Sequence, residues 1–225
     1  MTLENRVFVI TGATGSTGRA VSRAFADAGA SLALLGAHPD RLSALVSGPG
    51  LPPERTLTLP ADLTDPTATR AAAEAVMRRF NRLDGLIHLV GGWTGGKSVP
   101  EIDLADLDSM LDQHARTTFH AAQAFVPHLI ANGWGRIIVV SSPLARHPAG
   151  KGAAYAMGKA AQEALVLSLA QELRETGVTA NILLVRSIGE KGTTPEELAA
   201  SMLYLSSDEA GKINGARIPL YGSPY

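Results

Sequence analysis

Apolar runs and amphipathic stretches alternate along the whole of this 225-residue chain. Arg6–Thr11, Ser31–Gly36, Arg55–Pro60, Leu86–Val90, Arg136–Ser141 and Val178–Val185 are apolar enough to read as strands buried on both faces. A last short strand falls near Arg217–Leu220. Between the first two runs, Ala20, Val21, Ala24, Phe25 and Ala28 recur at helical spacing, and Gly29 closes that helix. Further helices are predicted from Pro39, over Asp65–Phe80 with Thr64 or Asp65 as cap, and from Leu104 to Ile130 without interruption. Two more cover Ala153–Glu175 and Pro195–Leu205. Regular alternation of this kind predicts an α/β fold, a doubly wound parallel sheet of about seven strands with helices on both faces. No linker-like run or internal repeat divides the chain, so residues 1–225 read as one domain.

Composition narrows the chemistry. A net charge of -1, with no run of Lys or Arg, argues against nucleic acid or an anionic membrane as partner. The absence of cysteine excludes disulfides, thiolate zinc sites and thiol nucleophiles. It also suits a reducing compartment. No secretory pattern opens the chain, and no apolar run approaches the length of a membrane span. The expectation is a cytoplasmic protein acting on a small molecule. His114, His120 and His128 lack the i, i+3 or i+4 spacing of a helical metal pair, so no metal is expected. Arg78, Arg79 and Arg82 read as a solvated helix face.

Two stretches carry candidate chemistry. The first is the turn after the first strand, where Gly12, Gly15 and Gly18 alternate with Thr14, Ser16 and Thr17. Glycines there let the backbone approach a pyrophosphate resting on a helix N-terminus. The second runs from Ser141 to Lys159. Tyr155 and Lys159, at i and i+4, share one helix face just after the fifth strand ends in Ser141-Ser142. An ammonium about 4 Å from a phenolate gains roughly 4 kcal/mol, enough to lower a phenol pKa of about 10 by up to roughly 3. Such a phenol donates and accepts protons, and Ser142 is placed to hydrogen-bond the same substrate oxygen.

Together with Asp62-Leu63, these motifs resemble the short-chain dehydrogenase/reductase family over Val7 to Gly222. Their most specific part is Tyr155-x-x-x-Lys159 with a serine thirteen residues before the tyrosine. The resemblance implies a Rossmann fold, with Tyr155 as acid/base, Ser142 polarising the substrate and Lys159 acidifying the tyrosine and holding the nicotinamide ribose. It puts Asp62 and Leu63 at the adenine, and Val90, Gly91 and Ile188 against the cofactor. Gly36-Ala37-His38, where an acid or arginine usually selects the cofactor, carries neither. With no carboxylate there, and with His38, Arg19 and Arg41 nearby, the charge leans to NADP over NAD. Three departures stand out. His88-Leu89-Val90-Gly91 replaces Asn-Asn-Ala-Gly, His114 replaces the catalytic asparagine, and Val185-Arg186 replaces Pro-Gly before a lid shortened to about Ser187–Thr194.

His114 is either a proton relay or a helix-packing residue. Trp93, in a glycine-rich loop similar to that of dihydropteridine reductases, either stacks on a flat substrate or covers the sheet end. His147 either touches substrate or is a solvated loop residue. The family also implies a homodimer or homotetramer. Two functions follow: an NAD(P)-dependent oxidoreductase acting on a carbonyl, alcohol or conjugated C=N such as a pteridine, or a dinucleotide-binding sensor or assembly protein with little catalysis.

Overall fold

A computed structural model of the chain describes residues 2–48 and 50–221, so Gly222, the last residue of the family resemblance, lies outside the described residues. Every apolar run becomes a strand: β1 (Val7–Thr11), β2 (Ser31–Gly36), β3 (Thr56–Pro60), β4 (Gly85–His88), β5 (Gly135–Ser141), β6 (Val178–Leu184) and β7 (Arg217–Pro219). They form one seven-stranded sheet in the order β3-β2-β1-β4-β5-β6-β7, parallel throughout. The helices are α1 (Ser16–Asp27), α2 (Pro39–Ser47), α3 (Pro66–Phe80), α4 (Leu104–Leu111), α5 (Thr117–Ala131), α6 (Ala153–Glu172) and α7 (Pro195–Leu205).

Period-two alternation divides each strand between two cores. Phe8 and Ile10 face Val21 and Phe25 of α1, Leu42 of α2 and Met202 of α7. Val7 and Val9 face Val76 of α3, Phe125 of α5 and Val166 of α6. Each such side chain contributes about 1.5–3 kcal/mol on full burial, which is why these strands tolerate few polar positions. Strand order reverses between β1 and β4, so the loops leaving their carboxyl ends diverge into a crevice.

One alternative is decided and two expectations change. Asp65, not Thr64, caps α3, accepting from Thr67 N at 2.8 Å. Helix α6 stops at Glu172, before a turn in which Glu175 and Gly177 take φ of 70° and 78°. The long helix is not continuous: a π-helical turn at Asp112–Arg116 separates α4 from α5. Here α4 lies so close to α6 that a Cβ on Gly158 would stand 2.5 Å from Met110 O. The widened turn carries His114 inward, and such turns recur where a helix must re-aim one side chain.

Arg82 also leaves the solvated face assigned to it. It donates through Nε and Nη2, at 2.8 and 2.6 Å, to Asp84, which is fully buried at the amino ends of the strands. Asp84 accepts as well from Val7 N at 2.8 Å, Asn132 Nδ2 at 3.1 Å and Arg6 Nη1 at 3.3 Å. Nearby, the Trp134 ring is sandwiched between the guanidinium groups of Arg6 and Arg136, 3.7 and 4.1 Å from its centroid. Removing one member of such a buried set strands the others. Asp84→Ala is therefore expected to lower unfolding stability by about 3–5 kcal/mol, read as a fall in the urea midpoint.

Candidate active site

The site forms where β5 ends and α6 begins. The carboxyl end of β5 presents Ser141 and then Ser142, whose Oγ accepts from Leu144 N at 3.3 Å and so fixes the turn. Helix α6 brings Tyr155 and Lys159 to the same end. Lys159 is buried, and its Nζ donates to Val140 O at 2.7 Å and Gln162 Oε1 at 2.9 Å. Gln162 Nε2 donates onward to Thr118 Oγ1 at 3.0 Å, and Thr118 Oγ1 to His114 O at 2.5 Å. One chain of hydrogen bonds thus ties β5, α6, α5 and the π turn together.

The electrostatics correct one expectation. The phenol is not acidified by the lysine: burial raises the Tyr155 pKa, and only a hydrogen bond with Ser142 opposes that. Sharing a helix face aligns the two Cβ atoms, but the lysine stem carries its amine to the Val140 carbonyl. Neutrality is reached instead by Lys159, which burial lowers to about 7, with Glu163 opposing.

A cleft of about 430 Å³ gathers eight expected residues: Thr17, Val90, Gly91, Trp93, His114, Tyr155, Lys159 and Ile188. His114 Nε2 donates to Gly92 O at 2.9 Å, so Nδ1 is an acceptor, buried and without a hydrogen-bond partner. Its ring meets that of Tyr155 edge-on at 5.3 Å. His88, noted in the sequence only as a departure from the family, also lines the cleft. Thr117 gives its hydroxyl proton to Gln113 O, so it accepts from His88 Nε2 at 3.3 Å while Thr11 Oγ1 donates to Nδ1 at 2.9 Å. Burial lowers both imidazoles to about 3, with the Lys159 charge adding to the effect.

Other expected residues lie outside the cleft. Ser142 and His147 line a second hollow of about 260 Å³ with Arg146, Glu163 and Arg217; Ser142 is joined to Tyr155 of the cleft by a hydrogen bond, whereas His147 lines only the hollow. Asp62 accepts from Thr64 N at 2.9 Å and Thr64 Oγ1 at 2.7 Å just beyond β3, and Leu63 O is held by His120 Nδ1 at 2.9 Å. Ala37 and His38 are exposed beyond β2, where His38 is the N-cap of α2. The shortened segment 187–194 is tied down by Thr193 N→Ser187 O and Gly189 N→Thr193 O, both 3.0 Å. Arg186 and Ser141 also line the cleft. In the sequence Arg186 stands out only as a departure from the family pattern, and Ser141 only as the start of the stretch leading to Lys159.

The glycine loop fits a dinucleotide. Gly12 takes φ +64°, and a Cβ there would stand 3.0 Å from Leu89 O; one on Gly18 would collide with Gly12 O. Helix α1 opens after Gly15 with no side-chain cap on its first turn and no acid in it, leaving amides for an anion. Arg19 Nε, donating to Thr14 O at 3.0 Å, holds a cation beside that loop.

A family model described as short chain dehydrogenase matches residues 6–189. An uncharacterized oxidoreductase of Mycobacterium tuberculosis is 29% identical over 251 residues, covering 98% of this chain and 91% of its own. A short-chain type dehydrogenase/reductase of Mycobacterium ulcerans superimposes with a TM-score of 0.92 at 22% identity, covering 98% of this chain and 90% of its own. A 3-ketoacyl-(acyl-carrier-protein) reductase of Brucella melitensis, solved with NADH, gives 0.89 at 21% identity, covering 99% of each chain.

The buried histidines make stability pH-dependent. Their pKa falls from 6.5 to about 3 on folding, so the unfolded chain binds more protons in that window. Stability is full above about pH 6.5 and is lost as pH falls towards 3. Between pH 7 and pH 5, His88 is expected to account for a loss of about 2 kcal/mol. In His88→Asn, the gap between urea midpoints measured at those two pH values should shrink to about half, with His114 supplying the remainder.

Proposed function

The chain belongs to the short-chain dehydrogenase family, and from its cleft we propose an NAD(P)-dependent oxidoreductase. Its substrate is a carbonyl, an alcohol or a conjugated C=N such as a pteridine. The observation that carries this reading is the meeting of Tyr155, its Ser142 partner and the buried Lys159 beside an uncapped, glycine-rich helix start.

The nicotinamide dinucleotide, when bound, supplies or takes up the hydride. Gly12, Thr14, Gly15, Ser16, Thr17 and Gly18 would hold its pyrophosphate, and Ala37, His38, Asp62 and Leu63 its adenosine. Val90, Gly91 and Ile188 would flank the nicotinamide, and Lys159 its ribose. Tyr155 gives its proton to the substrate oxygen or nitrogen while Ser142 hydrogen-bonds the same atom. Because burial keeps the phenol protonated, the site favours reduction near neutral pH. Lys159, at about 7, returns the proton, and His114, neutral there, relays as a hydrogen-bond partner rather than as an acid.

Substrate shape follows from the rim. Trp93 and Ile188, which line the cleft, are 64% and 44% exposed, which suits a flat, partly apolar molecule. Arg19 at the glycine loop, with no carboxylate in Gly36-Ala37-His38, supports NADP over NAD. Exposed Phe119 and Ile130 on α5 support a homodimer or homotetramer. The second reading, a dinucleotide binder with little turnover, draws on the phenol that Lys159 does not acidify.

Two measurements test these assignments. Tyr155→Phe is expected to keep NADPH binding and lose about 10²- to 10⁴-fold in turnover against a panel of quinones, pteridines, aldehydes and acyl ketones. Turnover at the wild-type level in that variant removes Tyr155 as the acid, and a wild-type protein inert to the panel favours the second reading. In paired fluorescence titrations NADPH is expected to bind more tightly than NADH; equal or reversed affinities would overturn the preference.

A further inference from the structure

Behind Lys159, one turn further along the same face of α6, stands a carboxylate that the proposed chemistry does not use. Glu163 is 1% exposed and lines the hollow on the far side of Ser142 from the cleft. Its Oε2 accepts from Arg217 Nε of β7 at 2.6 Å. Oε1 and Ser141 Oγ on the adjoining strand are both buried, and the Ser141 hydroxyl acts on the carboxyl as a hydrogen-bond donor that opposes the effect of burial. A carboxylate taken this far out of water keeps its charge only with cations and donors close by.

Lys159, also buried and four residues earlier on the same helix face, is one such cation. The groups arrayed around the amine are His88 from β4, His114 from the π turn, Tyr155 and Glu163 from α6 itself, and Arg186 from the loop after β6. Arg146, after β5, and Arg217, on β7, stand on the Glu163 side. Glu163 is the one acid in this set; the others are neutral or positive.

We propose that Glu163, anchored by Arg217, is a positioning residue that acts as the counter-charge of the Lys159 ammonium. Its purpose rests on the oxidoreductase reading above, but the electrostatic coupling does not. The ammonium sits among hydrogen bonds to Val140 O and Gln162 Oε1, neither of which carries a charge. A full negative charge one helix turn away opposes the burial that favours the neutral amine. In return, burial raises the Glu163 carboxyl, and the Ser141 hydrogen bond, the Arg146 charge and then the Lys159 charge oppose that.

The direction of one titration decides the matter. The chain has five lysines, so ¹³Cε NMR of labelled protein resolves each, and Lys159→Met identifies the resonance of interest. In Glu163→Gln the Lys159 midpoint is expected to fall by about 1 pH unit, while Glu163→Asp, which keeps the charge, should stay near wild type. A midpoint that does not move overturns the proposal. So does one that rises towards the ordinary lysine value of about 10.4, since that marks a loosened site rather than a lost charge. Should Glu163→Gln fail to fold, the ¹³Cδ signal of Glu163 in the wild-type protein provides the same test. It should step at the Lys159 midpoint, and its absence there overturns the coupling. In the enzyme, the alkaline limb of kcat/KM should shift with the NMR midpoint. If the midpoint falls but no substrate in the panel turns over, the counter-charge stands and the oxidoreductase reading fails.

Discussion

An ammonium taken out of water must have its donors met, and the placement of Lys159 governs the geometry around it. Its amine meets the Val140 carbonyl at the end of β5 and the Gln162 side chain on its own helix. Through Gln162 and Thr118 the same network reaches the His114 carbonyl in the π turn. Helix α6 therefore cannot slide along the sheet without stripping a buried charge. The bare Gly158, which lets α4 approach, and the widened turn at 112–116 belong to the same fit. Tyr155 is held over Ser142 because its helix is fastened one turn further on.

The two ends of the sheet handle charge differently. At the amino ends, Asp84 is surrounded by donors and two arginines, and the charge is neutralised locally. At the carboxyl ends, the cleft is lined by His88, His114, Lys159 and Arg186, with no carboxylate among them. Crowded basic groups in a low dielectric cannot all stay charged. The imidazoles give up their protons first, which leaves Lys159 as the group poised near neutrality. The end of the sheet that stays electrostatically unsettled is the end with room for a ligand.

Most of the scaffold was legible because burial on both faces leaves a mark in the sequence. Runs such as Val7–Thr11 and Val178–Leu184 have few polar alternates, and their spacing fixed the seven strands to within a few residues. The glycine loop and the Tyr155–Lys159 pair were legible as spacings. What stayed hidden depends on where side chains end rather than where they start. One extra residue in the turn at 112–116 leaves no break in the surrounding helical pattern, so the interruption was invisible although His114 was noticed. Arg82 looked like its solvated neighbours because its partner Asp84 lies two residues on, in a loop. His147 is close to Ser142 in the chain, yet it faces the other hollow. No motif singles out Glu163, whose importance comes from its pairing with Arg217 on β7, far along the chain.

The segment after β6 sets a last constraint on how such a site works. Residues 187–194 are bound back on themselves and, through Thr193 Oγ1, to Leu220 O. Thr194 then caps α7 in a reciprocal arrangement with Glu197, whose Oε2 accepts from Thr194 N at 2.8 Å. A loop so short and so fastened has little length with which to fold over a ligand. Where a mobile lid excludes water in other enzymes, exclusion here falls to the substrate itself. A flat molecule reaching from the floor of the cleft to Trp93 and Ile188 would cover the reacting face, whereas a small aliphatic one would leave it wet. The apolar rim and the missing lid are thus two aspects of one requirement, and under the proposed oxidoreductase reading both bear on which substrates the site would accept.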